Sequence, residues 1–291
     1  MNAPVIVGFD GSATARAAVH YGAREALRRG SALQITHALG WPVILPPFHA
    51  GYDLLGQGPR VAMLELLAKA AHEVQEEHPD LAVSTRLLDG PAGAILVDAS
   101  RVAQLIVVGH RGAGGFAGLL TGSVATQVAA HAHCPVVILR GDDHLSDDGP
   151  IVVGTDGSSG SRAAAEAAFR QARLRRTELV LAYHSPRKSS AGAIATSTLP
   201  FWATVGDSAA GAHGVGARYP DVEYRTEVIT GESAAAALIA FSERTGAGLL
   251  IAGSRGLGGF RGLVMGSTSR TLIDHAPCPV MVVTAGHDAD R

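Results

Sequence analysis

Residues 105–139 read LIVVGHRGAGGFAGLLTGSVATQVAAHAHCPVVIL, and residues 249–283 read LLIAGSRGLGGFRGLVMGSTSRTLIDHAPCPVMVV. The two stretches align without a gap, 144 residues apart. Each opens on an apolar, strand-like run and passes through a glycine-rich turn to a Gly-Ser pair. A helical stretch follows, then Cys-Pro and a second apolar run. The beginnings of the two halves match as well: IVGFDGSATAR at 6–16 and VVGTDGSSGSR at 152–162. Solenoid repeats recur at roughly 20–50 residues, so a period of this length is a whole domain. The sequence describes two similar domains in tandem, 1–141 and 150–291, joined by a Gly- and Asp-rich linker at 142–149.

Working outward from the repeat, the first half reads as alternating strands and helices. Strands are predicted at 5–9, 33–38, 81–88, 104–109 and 136–140. Helices are predicted at 13–29, where Gly30 supplies a C-cap glycine, and at 60–77, 92–100 and 122–132. A Pro- and Gly-rich loop occupies 40–59. The run at 104–109 is apolar throughout, which suits a strand covered on both faces of a parallel sheet. Five strands alternating with four helices imply right-handed crossovers and a doubly wound, Rossmann-like α/β domain with a five-stranded parallel sheet. The second half repeats the order, except that its long loop at 185–202 shares little with the first. Divergent loops on a repeated scaffold point to differing access or partners.

Composition narrows the function. Hydrophobic residues make up 47% and charged residues 17%, the balance of an ordered globular chain. A net charge of −2 gives no general pull toward nucleic acid or an anionic membrane. Only Lys69 and Lys188 are lysines, so a site built on a phosphate-binding lysine is nearly excluded. Two cysteines are too few for an extracellular disulfide framework. The N-terminus has no basic region before its apolar run, and no apolar stretch reaches membrane-spanning length, so a cytoplasmic protein is expected.

The repeated segment fits G-x2-G-x9-G-S: Gly109, Gly112, Gly122 and Ser123 in the first copy, Gly253, Gly256, Gly266 and Ser267 in the second. The first glycine ends a central strand, at the carboxyl edge where ligands of open α/β sheets bind. Glycine lets backbone N–H groups approach an anion closely. The Gly-Ser pair opens a helix whose free N–H groups and positive dipole end favour phosphate. Asp10 and Asp156 follow the first strand of each half in G-x-D-G-S. If strands one and four are neighbours, each Asp faces the glycine loop across the crevice. There it is placed for a ribose, an adenine edge or a Mg²⁺ held by phosphates. Ser12 and Ser158 compete with the aspartates to cap the following helix.

Spaced glycines, an Asp after strand one and a closing C-P-V strand, present in both halves, resemble the universal stress protein family in its tandem two-domain form, over nearly the whole chain. In that family the glycine motif marks ATP-binding members. Carried over by position, the resemblance implies nucleotide contacts at Gly8, Asp10, Ala38, Val108, Gly109, Arg111, Gly112, Gly122, Ser123 and Val124. In the second half it implies Gly154, Asp156, His184, Ala252, Gly253, Arg255, Gly256, Gly266, Ser267 and Thr268. Thr268 stands where a small aliphatic residue is usual, which suits a contact made by its backbone N–H. The resemblance further implies ATP binding with little turnover, Mg²⁺ at Asp10 and Asp156 through the phosphates, dimerisation through the last strand, and a regulatory role in stress or dormancy.

Other readings stay beside this one. A slow ATPase or a nucleotidyl- or phosphoryl-transfer enzyme fits the scaffold, although G-x4-G-K-[ST] is absent. A nucleotide-independent dimeric adaptor is a third reading. Cys134 and Cys278, each before a proline, read as buried thiols. His131 and His133 fall on different faces of one helix, which sets zinc aside. Phe116 and Phe260 read as packing residues of the glycine loop. The apolar last strands, 136–140 and 280–284, are sheet edges of the kind that pair. The two domains are therefore expected to join edge to edge with pseudo-two-fold symmetry, and the chain to form a homodimer.

Overall fold

The computed structural model describes residues 2–40, 57–112, 121–140, 148–185, 214–257 and 265–285. Phe116, Phe260 and the variable part of each long loop lie outside these residues. The first half runs β1 (Val5–Gly8), α1 (Ala13–Arg29), β2 (Leu33–Leu39), α2 (Gln57–Glu77), β3 (Val83–Asp89), α3 (Ala92–Ala99), β4 (Leu105–Gly109), α4 (Ser123–His131) and β5 (Val136–Leu139). In the second half the described elements are β6 (Ile151–Thr155), α5 (Ser159–Arg175), β7 (Leu179–Ser185), β8 (Tyr224–Thr230), α6 (Ala234–Thr245), β9 (Leu249–Gly253), α7 (Ser267–His275) and β10 (Val280–Val283). Helix α2 starts three residues before the expected Arg60. Strand β3 starts at Val83; Leu81, expected in it, is buried in the turn that leads to it.

The strands form one ten-stranded sheet in the order β3-β2-β1-β4-β5-β10-β9-β6-β7-β8. Every pairing within a half is parallel. The halves meet through β5 and β10, which pair antiparallel: Val280 opposite Ile138, Met281 opposite Val137 and Val282 opposite Val136. The edge-to-edge joint expected of the two last strands is thus present within a single chain.

Because strand side chains alternate, the sheet has two apolar faces, and both run unbroken across the joint. On one face Val5, Val107, Val137, Met281, Ile251 and Val153 lie under α1, α2 and α5. On the other, Ile6, Ile106, Ile138, Val280, Leu250 and Val152 lie under α3, α4, α6 and α7. Cys134 and Cys278 are buried free thiols in the second layer. Burial in these apolar surroundings pushes each thiol up to about 12, which leaves it inert.

Over the joint, α1 packs on α5, and one carboxylate is enclosed there. Glu25 has no exposed surface. It accepts hydrogen bonds from Arg28 (3.0 Å), Arg29 (2.9 Å), Arg175 (2.9 Å) and the Gln171 amide (3.0 Å). Arg175 also hydrogen-bonds Tyr21. Gln171 stands 146 residues after Glu25, and Arg175 stands 146 residues after Arg29, the offset that relates the starts of the two halves. Equivalent positions therefore meet at the pseudo-two-fold. A glutamate at both would set two buried carboxylates side by side; Glu opposite Gln, between two arginines, avoids that. Burial alone would raise the Glu25 carboxyl, but Arg175 and Arg29, helped by Gln171 and Arg28, hold it at about 2.

Its contribution to stability is full above the ordinary carboxyl value of 4.5 and is lost as pH falls toward about 2. Glu25→Ala, which strands buried guanidinium groups, is expected to lower the unfolding free energy by about 3–5 kcal/mol at neutral pH. Denaturant titrations at several pH values should show the gap between wild type and variant closing below about pH 4.5. A gap independent of pH would refute the assignment.

Candidate functional site

Among the described residues three helix starts carry serine caps. Ser12 accepts the N–H of Ala15 (3.2 Å), Ser158 that of Ser161 (3.1 Å) and Ser233 that of Ala236 (3.2 Å). The serines take the capping role for which the aspartates competed. Asp10 and Asp156 instead each accept the backbone N–H two residues on, from Ser12 (3.0 Å) and Ser158 (2.9 Å). Gly11 and Gly157 make this turn at φ +83° and +84°, a conformation that side chains resist.

Helices α4 and α7 begin differently. Their N-caps are Gly122 and Gly266, in extended conformation (φ −69°, ψ 148° and 151°), and among the described residues no side chain caps either. The first-turn N–H groups that a serine satisfies in α1, α5 and α6 have no capping side chain here among the described residues. Both starts are held in place from behind. Gly122 N–H donates to the His110 carbonyl (2.7 Å) and Gly266 N–H to the Ser254 carbonyl (2.8 Å).

The strand order turns at β1, which pairs with β2 on one side and β4 on the other. Strand ends splay there and open a crevice. In the first half this is a pocket of about 350 Å³. All ten first-half candidates line it: Gly8, Asp10, Ala38, Val108, Gly109, Arg111, Gly112, Gly122, Ser123 and Val124. Its two ends differ in chemistry. One, at the end of β4, has Gly109, Gly112, Ser123 and the start of α4; the other, at the end of β2, has Thr36 and Ala38, and α3 contributes Ala92 and Leu96. Asp10 lies between β1 and the loop, so close that a Cβ on Gly112 would be 2.3 Å from its Oδ2. The expected meeting of Asp and glycine loop across the crevice is therefore present in this half.

The second half has the same relation. A Cβ on Gly256 would lie 2.4 Å from Asp156 Oδ2, and that oxygen accepts the N–H of Leu257 (2.9 Å). Burial tends to raise the Asp156 carboxyl. Bonds from Ser158, the Leu257 N–H and Ser161 bring it below its ordinary value, so it is an anion that ties β6 to the loop. Gly154 is the last residue but one of β6, Ala252 and Gly253 close β9 as Val108 and Gly109 close β4, and Gly266, Ser267 and Thr268 open α7. Arg255 follows β9 as Arg111 follows β4, and His184 stands near the end of β7. Among the described residues no three His, Cys, Asp or Glu side chains form a group able to hold a metal, so a cation here would depend on a ligand's own oxygens.

The motif reading missed part of the pocket. Phe9, Thr121 and Ala125 adjoin predicted residues in the sequence; Ala15 comes from α1, and Ala92 and Leu96 come from α3, which carries no signal of its own. His37 precedes Ala38, and its Nδ1 is 2.6 Å from the Phe9 carbonyl. His110 lay inside the quoted repeat. Its Nδ1 is buried with no hydrogen-bond partner among the described residues. Burial, then Arg111 and Arg140, depresses its pKa, so the ring is neutral at pH 7. The second half has Ser254 there instead.

Comparison with known proteins agrees with this architecture. The model of the universal stress protein family matches residues 1–140 and 149–284. A universal stress protein of Mycolicibacterium smegmatis is 32% identical over 301 residues, covering 96% of each chain. One from Mycobacterium tuberculosis is 33% identical over 289 residues, covering 96% of this chain and 95% of its own. The crystal structure of a universal stress protein from Archaeoglobus fulgidus superposes with a TM-score of 0.74 at 20% identity, over 98% of this chain and all of the other; that likeness shows the shared fold. The chain belongs to the universal stress protein family, with two tandem copies of its domain.

The loops are seated on α1 and α5 in different ways. In the first half Thr14 Oγ1 donates to the Arg111 carbonyl (2.6 Å), and a Cβ on Gly109 would lie 2.7 Å from that side chain and 3.1 Å from the Thr14 backbone carbon. In the second half Gly160 replaces Thr14, and a Cβ on Gly253 would meet its backbone at 2.6 Å. Backbone yields less readily than a side chain. Gly253→Ala should therefore cost about 2–3 kcal/mol of stability and Gly109→Ala about half that. Thermal unfolding of the two variants compares them, and equal losses would contradict this account.

Proposed function

We propose that the protein is an ATP-binding regulator of a stress or dormancy response, with one nucleotide site in each half and little or no turnover. The observation that carries this reading is the two-ended first pocket. Its uncapped helix start and glycine loop suit phosphates, and its apolar end at Ala38, Ala92 and Leu96 suits a base. Asp10 lines this pocket beside Gly112, and Asp156 holds the equivalent place beside Gly256 in the second half. There a carboxylate accepts ribose hydroxyls, or reaches a Mg²⁺ that the phosphates bring. Membership of the universal stress protein family supports the regulatory role. The dipole of a helix start contributes only about 0.3–2 kcal/mol, so the loop N–H groups and the hydroxyls of Ser123 and Ser267 supply most of the phosphate affinity.

In this reading residues 1–141 and 150–291 are the two binding domains, and the chain works in the cytoplasm. No described helix is long and apolar enough to cross a membrane. A second copy of the chain is the expected partner, adding a further layer of assembly to the joint already made within each chain. Nucleic acid and membrane are not expected partners, given a net charge of −2.

The test is nucleotide extraction from freshly purified protein, followed by a titration with ATP and Mg²⁺. At least one ATP per chain should be released, and saturation should reach two. Gly122→Glu or Gly266→Glu, which sets a carboxylate at the phosphate end, should each remove one site. ADP or AMP in place of ATP would support a slow hydrolase, and failure to bind at saturation would leave the adaptor.

A further inference from the structure

The phosphate ends of the two crevices share the Gly-Ser helix start and the Asp–Gly contact, and the base ends differ. Ala38 is the last residue but one of β2, paired with Leu88 of β3. Its counterpart His184 is the last but one of β7, paired with Ile229 of β8. In the first half Ala38 lines the pocket together with Ala92 and Leu96 of α3, and among the described residues no side chain at this position bonds across to the turn before α3. In the second half an imidazole spans the matching gap. His184 Nε2 lies 3.1 Å from the carbonyl oxygen of Gly231, in the turn that leads into α6. That distance suits an Nε2–H donating to the carbonyl. A planar base entering between β7 and α6 has to displace the ring and break this bond, whereas in the first half the matching position carries only the Ala38 methyl.

We propose that His184 makes the two nucleotide sites unequal: it lies across the base end of the second crevice, so that adenine nucleotide fills the first half first and the second only when the imidazole swings out. The proposal rests on the nucleotide reading above. The barrier is a single hydrogen bond to a neutral carbonyl, so the handicap is modest, about five- to tenfold in affinity. A difference of that size gives a graded response: one site filled over a lower range of ATP, the other over a higher range.

Calorimetric titration of the full chain with ATP and Mg²⁺ tests it. The unmodified protein should show two unequal steps, and His184→Ala should merge them by tightening the weaker one about five- to tenfold. The reciprocal change, Ala38→His, should weaken the stronger step by a similar factor. In a Gly122→Glu background, which isolates the second half, His184→Ala should again tighten binding. If that background does not fold, the two single variants decide the matter. ATP taken up by the first half with no gain, or a loss, from His184→Ala overturns the assignment of His184 and leaves the nucleotide reading intact. No ATP uptake by the first half overturns both.

Discussion

The antiparallel pairing of β5 with β10 is the constraint on which the molecule depends. Each strand is fully apolar and would be an exposed edge if its half stood alone. Joined, the two edges disappear, and both faces of the sheet become continuous cores shared between the halves. The same pairing determines which helices meet. It lays α1 against α5 and encloses Glu25 among Arg29, Arg175 and Gln171. This is an arrangement that requires the halves to differ.

The joint also reaches the candidate site. Thr121, which lines the first pocket, hydrogen-bonds Asp274 on α7, and the Arg140 guanidinium donates to the Asp274 carbonyl. On the other side Thr284 donates to the Ala132 carbonyl, 3.0 Å away. The residue before the N-cap of α4 is thus held by the opposite half. The start of α4 and the contact between halves thus share Thr121.

Much of the site was legible in the sequence because its geometry is local. Gly122-Ser123 is a helix start, Gly109 a strand end, and Asp10-Gly11-Ser12 a turn; each is specified within a few residues, and the repeat shows each twice. The walls of the pocket were less legible. Ala92 and Leu96 belong to a short helix whose sequence is ordinary and whose importance is positional. His37 and His110 were read past because one histidine near a strand end carries no spacing signal. Only packing shows that His37 meets the Phe9 carbonyl and that the His110 Nδ1 is buried.

The sequence by itself determined the duplication, the alternation of strands and helices, the apolar edge strands and the positions of the glycine loops. Periodicity, turn residues and internal repetition are properties of neighbours along the chain. Tertiary structure decided what depends on residues brought together from afar. Asp10 came to rest against Gly112, and Glu25 came to face Gln171 rather than another glutamate. His184 was set across a gap where the first half has Ala38. These pairs lie between 47 and 146 residues apart for the bonded ones, and no local pattern encodes such distances. They follow from strand order and from the near-symmetry of two halves that share a fold but not all their side chains.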